Sequence, residues 1–470
     1  MVGIASSSSE GPSTQQPRST ARATTLGILA ALAGLMFGLD TGVVAGALPF
    51  IATDFHAGDA LQGWIVSSMM AGATVGSLFA GRISVRFGRT GAMLGAAILF
   101  LLGTLLCALA PGPAIMIVGR LFLGLAVGVA AFAAPLYISE ITVESVRGAM
   151  ISFYQLMVSL GIFLAFVSDS LLASGGHWRW MLGVMAVPAS FFLGIVLILP
   201  HSPRWLMMRG EKERARRVLQ SLRSDEEVAE AELVDIQSRL QKSSDAGLGL
   251  FRSNPNFRRT VFLGMLLQIM QQLSGINALL YYAPRVFQAA HFGTNASIWA
   301  TTLVGLTNMA LTGVAIACVD RWGRRPLLIL SCGIAAFSLA GVGTLLAIGA
   351  QSFGLQLLLC GFVLLFVAGF AIGEGPLVWT LCSEVQPTRG RDFGIGCSTV
   401  TNWAANWAIS NMFPLGMAMM GASSTFLMFA VFNGLFILVT VLFVPETKGV
   451  SLERLEANLF AGTRLRDLGR

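Results

Sequence analysis

Twelve apolar runs divide the chain, separated by short polar loops. They cover 24–48, 61–81, 90–110, 114–137, 150–172, 178–199, 258–287, 297–319, 327–349, 355–383, 392–416 and 424–444. Runs of about 20 apolar residues are the length of a helix that crosses lipid. Gly and Ala recur within them, which lets helix backbones approach closely. Two stretches break the rhythm. Residues 1–22 are rich in Ser, Thr and Pro without an apolar pattern and read as a disordered tail; no h-region with a cleavage site precedes the first run. Residues 201–257 alternate charge with helical periodicity, as in 212–222 and 226–240, and read as a cytoplasmic helical linker, either a brace or a regulatory docking surface.

The polar residues inside the runs carry the functional signal. Between Gln268 and Pro284 one run holds Gln268, Gln271, Gln272 and Asn277. In hydrocarbon an unpaired amide costs several kcal/mol, so these side chains face a cavity, another helix or a ligand. The three glutamines fall at i, i+3 and i+4 and share one helix face. Amides that both donate and accept suit a ligand built of hydroxyls, and they equally suit glue between helices. Asp40 lies inside the first run and Glu374 inside the tenth; ionisable groups at that depth mark ion or proton paths by default. For Glu374 a helix-bridging role is equally compatible. Gly373, Gly375 and Pro376 weaken the helix around it. Tyr281 and Tyr282 close their run and read as an outer gate or an interfacial belt.

Charge then orients the chain. Of 31 basic residues, all but Arg120, Arg179 and Arg285 fall on one side of the runs, so the positive-inside rule puts both termini in the cytoplasm. Composition agrees: 55% hydrophobic, 12% charged, mean hydropathy +0.73, against about 25% charged in soluble proteins. The net charge of +7 sits in short loops and is not a nucleic-acid signal. Six scattered cysteines form no CxxC pair, the four histidines lie apart in loops, and no lysine follows glycine as a phosphate loop requires. A metal site, a cofactor and an enzymatic activity are therefore not expected.

The halves repeat. Glu140 and Arg147 recur as Glu384 and Arg391; Arg86-Phe-Gly88-Arg89 recurs as Arg321-Trp-Gly323-Arg324. Six runs followed by six in the same orientation is a parallel repeat, with a site expected between two bundles at mid-depth. The expected domains are the tail 1–22, a bundle 23–200, the linker 201–257, a bundle 258–444 and a cytoplasmic tail 445–470.

These motifs resemble the major facilitator superfamily and its sugar porter family. The marks are Gly81-x4-Arg86-x-Gly88-Arg89, Asp320-Arg321-Trp-Gly323-Arg324-Arg325, Pro203-Arg204, Gln271-Gln272-x-x-Gly275-x-Asn277 and Pro445-Glu-Thr-Lys-Gly449, in family order over about 24–460. The stretches 37–50 and 382–394 are similar to those of bacterial galactose–proton and arabinose–proton symporters. Two departures stand out: Val85 and His201 occupy positions where the family usually carries an acid. The resemblance implies an all-α membrane protein, twelve helices in two pseudo-symmetric six-helix bundles. It implies Asp40 and Arg120 as the proton-coupling pair, Asp40 taking a proton and releasing Arg120. It implies a sugar site of Gln155, Gln271, Gln272, Asn277, Asn308, Trp379 and Asn402, with Trp403 packed beside Trp379, each alternatively a packing or interhelical residue. Arg86, Arg89, Glu140, Arg147, Asp320, Arg321, Arg324, Glu384 and Arg391 form the expected cytoplasmic charge network. The expectation is a monomeric proton-coupled importer of a hexose, galactose or glucose, in a bacterial inner membrane. A uniporter and a pentose symporter are the alternatives within transport, and a non-transporting sugar receptor lies further off.

Overall fold

The structure, a computed structural model, describes residues 21–223, 225–242 and 247–469, with the side chains of 144–145, 174, 239, 241–242 and 316–321 left aside. Most of the expected N-terminal tail, and the side chains of Asp320 and Arg321, therefore lie outside the described residues.

Helices account for every apolar run. The first run is α1 (Ala21–Asp54), and α2 (Asp59–Ala108) carries the second and third. Then come α3 (Pro113–Ile141) and α4 (Glu144–Leu172), and the sixth run is split into α5 (Trp178–Gly183) and α6 (Ala186–Ile198). The linker folds as α7 (Pro203–Met208), α8 (Lys212–Leu222), α9 (Glu226–Lys242) and α10 (Gly247–Ser253). The seventh run is α11 (Pro255–Leu273) and α12 (Ile276–Ala289), the eighth α13 (Thr294–Trp322) and the ninth α14 (Arg324–Ile348). The tenth is α15 (Phe353–Ile372) and α16 (Glu374–Glu384); α17 (Arg391–Phe443) carries the last two, and α18 (Leu452–Phe460) follows. Among the described residues ten helical stretches are long and apolar enough to span a membrane; the two longest, 50 and 53 residues, each hold two runs, so twelve spans result.

Runs two and three, and eleven and twelve, are each joined by a very short turn centred on one non-helical glycine, Gly88 in α2 and Gly421 in α17. A straight 50-residue helix would be about 75 Å long. Yet Gly72 packs on Leu121 and Gly103 packs on Gly119 and Leu123, so both arms of α2 meet the same level of α3. The chain doubles back at Gly88, whose φ of 82° and ψ of 167° suit glycine. Its repeat partner Gly323 has φ 86° and ψ 157°, so the duplicated motif makes one turn twice.

Small residues set the helix spacing. Gly72 and Gly76 of α2 face Gly124 and Gly128 of α3; Gly38 and Gly42 of α1 face Gly161, Ile162 and Ala165 of α4. Such pairs bring backbones together where the hydrophobic effect cannot, since lipid is as apolar as the helices. Large side chains such as Phe191, Phe353 and Leu109 point outward, three-quarters exposed, as a lipid-facing surface requires.

On the side where α1 begins and α18 lies, the duplicated charges pair within each half. Arg89 forks onto Glu140 at 2.8 and 2.9 Å, and Arg324 reaches Glu384 at 3.2 Å. The repeated glutamates thus bind the motif arginines rather than Arg147, which is exposed, or Arg391, which donates to the Gln386 carbonyl. Arg86 lies over the Phe87 ring. Glu446 of the Pro-Glu-Thr motif accepts from the Arg324 and Arg325 amides, capping α14 where its N–H groups have no helical partner. The linker is tied to the first half: buried Arg223 binds Glu232 of α9 and also donates to the Ile141 carbonyl at the end of α3. His201 does not supply the family's charge. Its Nδ1 bonds Thr90 Oγ1 at 2.6 Å and its ring packs on Trp205. Burial, with Arg214 adding and Glu211 opposing, holds its pKa below the usual histidine value.

Candidate functional site

Two buried polar centres lie in the interior, one in each half. In the first, Asp40 of α1 and Arg120 of α3 meet at 2.7 Å with both side chains fully buried. The guanidinium also points at the Ile65 and Val66 carbonyls of α2, each at 3.4 Å, so one side chain holds three helices. Asp40 Oδ1 accepts a hydrogen bond from the Arg120 guanidinium, while Oδ2 has no hydrogen-bond partner. Removing one partner of such a pair leaves a bare buried charge, at about 3–5 kcal/mol. Neutralising the acid instead frees the arginine. Arg120 sits inside its helix, about a quarter of the way along α3.

The second centre is built on broken helices. After Leu273 the seventh span stops; Gly275, with φ 90° and the Phe429 ring against it, turns the chain before α12 begins. The tenth span likewise breaks at Gly373, as the glycines around Glu374 predict. Gln271 Nε2 donates to the Glu374 and Gly375 carbonyls at 2.9 and 3.3 Å. Asn402 of α17 donates to Gln268 at 2.6 Å and Gln271 at 3.0 Å, and Asn277 donates to Gln272 at 2.7 Å. Four expected sugar-site residues, Gln271, Gln272, Asn277 and Asn402, therefore form one network. They bond one another across helices, so the gluing role is present. Gln268, central to it, was passed over for the site although it stands on the same helix face.

The remaining candidates are placed differently. Trp379 is 40% exposed in spite of its position within a span. Trp403 is buried and sets its ring edge-on to Phe37 of α1, in the other half, at 5.4 Å. Gln155 is exposed and Asn308 buried. Each lies one turn from the Ser159–Thr312 hydrogen bond, 3.1 Å, that joins α4 to α13. The Glu374 carboxylate is buried beside Ser274, Ser331 and Cys332, and the residue's backbone amide donates to Ser331 Oγ. Asp169 of α4 was missed. It is fully buried and accepts from the Gly46 amide at 3.2 Å; an acid inside an apolar run was the available signal.

On the side opposite the termini the halves are stitched together. Arg285 of α12 binds Asp59 and Gln62 of α2 at 2.5 and 3.2 Å, and Asn411 donates to Ser67 at 2.9 Å. Beneath, Tyr281 and Tyr282 are buried; Tyr282 donates to the Ser410 carbonyl and Asn406 donates to Tyr281 Oη. Among the described residues the one ion pair that joins the two halves, Arg285–Asp59, is on this side, which these contacts close.

Residues 26–459 match the family described as Sugar (and other) transporter. The chain is 49% identical over 442 residues to a galactose-proton symporter of Escherichia coli strain K12, covering 94% of this chain and 95% of that one. It is 47% identical over 446 residues to an arabinose-proton symporter of the same strain, covering 94% of each. The fold is similar to the xylose transporter XylE from E. coli in a partially occluded inward open conformation: TM-score 0.81, 28% identity, 92% of this chain and all of that one. The architecture is thus the major facilitator fold in a multi-pass membrane protein, whose relatives are transporters rather than enzymes. The chain belongs to the Sugar (and other) transporter family.

Proposed function

We propose that this protein is a proton-coupled monosaccharide symporter of a bacterial inner membrane, working as a monomer by alternating access, with both termini in the cytoplasm. The observation that carries the reading is the sealed Asp40–Arg120 pair, whose second carboxylate oxygen makes no bond. Protonation at that oxygen releases Arg120 and loosens α1 from α2 and α3. Sugar then binds the amides of α11, α12 and α17 together with Trp379 and Gln155. The bundles, 23–200 and 258–444, rock about it while the linker keeps them joined. Loss of the proton to the cytoplasm re-forms the pair. A proton moving down 100 mV supplies about 2.3 kcal/mol, enough for roughly 50-fold accumulation. The charge clusters on the terminal side, with Asp320 and Arg321, guard the cytoplasmic exit in this cycle; Tyr281 and Tyr282 form the outer gate.

The substrate class follows from amide-rich chemistry and from the relatives named for galactose and arabinose, which match at nearly equal identity. That near-equality keeps a pentose beside a hexose, with galactose or glucose first; competition by epimeric sugars against one labelled substrate decides. Coupling is tested with Asp40→Asn in proteoliposomes. The expected outcome is loss of sugar accumulation and of sugar-induced proton uptake, with exchange of labelled for unlabelled sugar retained. Accumulation at the unmodified level in that variant refutes coupling through Asp40 and leaves facilitated uniport.

A further inference from the structure

A cavity of about 410 Å³ lies on the closed side, against the paired tyrosines, and the cycle above assigns it no ligand. It falls within the range of about 300–1,000 Å³ that small-molecule sites occupy. One wall is α1 from Ala45 to Thr53 with Gln62 of α2; the other is α12 from Tyr281 to Gln288 with Thr294 of α13. The walls therefore belong to opposite halves. Thr53, Gln62, Gln288 and Thr294 supply donors and acceptors, and Phe50 supplies a ring face. This is the equipment that holds a pyranose: amides and hydroxyls for its O–H groups, an aromatic surface for its C–H face. The side chains of Gln288 and Thr294 make no hydrogen bond among the described residues. Arg285 at the rim is matched by Asp59, so the chamber favours a neutral polyol over an anion.

We propose that this vestibule is a second, weaker monosaccharide site, and that a sugar held there bridges the halves and keeps this side shut. The proposal rests on the sugar-transport reading above. The bridging geometry exists only while the two walls stand together, so occupancy opposes reopening. Transport then slows at high sugar on this side.

The test is equilibrium binding of labelled galactose and of labelled glucose to the purified full-length protein. Expected is a tight component and a second at least about 10-fold weaker, on the order of millimolar. Gln288→Ala removes polar contacts and Thr294→Trp fills the chamber. Each is expected to abolish the weak component, leave the tight one within about two-fold, and relieve the inhibition of uptake at high sugar. A single component in the unmodified protein overturns the vestibular site while sugar transport stands. A weak component that persists in both variants also overturns it, as does loss of both components together in a variant that melts normally. Absence of saturable binding for any monosaccharide sinks the transport reading with it.

Discussion

Asp40 and Arg120 illustrate what one residue can and cannot disclose. An acid in an apolar run must be neutralised or paired, so the sequence gives its importance; the partner comes from another helix, 80 positions away, and only the fold supplies it. Arg120→Ala strands a buried carboxylate and is expected to lower stability by about 3–5 kcal/mol. Adding Asp40→Asn should restore most of that loss, read as melting temperature in detergent, although coupling stays abolished. If the double variant is no more stable than Arg120→Ala alone, the arginine holds the helices by its carbonyl contacts instead. His201 allows a pH prediction. Its folded pKa is lowered, so the neutral form is the one the fold prefers. Stability is complete above the ordinary histidine value of about 6.5 and is lost as pH falls from there through the lowered one. The drop in melting temperature between pH 7.5 and 5.5 should be smaller in His201→Gln, which keeps a hydrogen-bonding group facing Thr90 and does not titrate.

Among the elements, the helices themselves were legible, because a lipid-spanning helix needs only length and apolarity. Their interruptions were read unevenly. Gly373 and Pro376 announced the break in the tenth span, whereas the break at Gly275 lay hidden in a continuous apolar and amide pattern that periodicity treats as one helix. The reversal at Gly88 was masked for the opposite reason: a loop was expected, but a single residue of positive φ turns the chain with helix on both sides. Packing faces were legible only as an abundance of small residues. Which of them touch is a matter of helix order, and Gly124 is a sensitive case. A methyl there would strike the Met69 carbonyl, a backbone atom that cannot rotate away. Gly124→Leu is expected to cost more than the usual overpacking penalty of about 1–3 kcal/mol, with folded protein largely lost from membranes by size-exclusion profile. The same change at Gly396, where a side chain meets open space, should be tolerated.

At the scale of the molecule, the repeat predicts two bundles, but it is silent on which face of the interface is closed. That depends on contacts between halves, and sequence spacing holds no record of them. Arg285 shows why: an isolated basic residue on the far side, it reads as a topology exception until Asp59 and Gln62 are found across the interface. The pair is about one-third exposed, so its worth is at most about 1 kcal/mol, or roughly a five-fold bias toward the closed outer face. Arg285→Ala should shift the population by that factor toward opening outward. Ser67 reports it, since it is fully buried just beneath the pair and bonded to Asn411. With Ser67→Cys introduced, a membrane-impermeant thiol reagent added outside should react about five-fold faster when Arg285 is also replaced. High salt should accelerate the unmodified latch in the same direction, because it screens the exposed pair, and should leave the Arg285→Ala background unchanged. Equal reactivity with and without Arg285 would mean that the far side is held by the buried tyrosines and the Asn411 contact alone, and that the ion pair follows closure without favouring it.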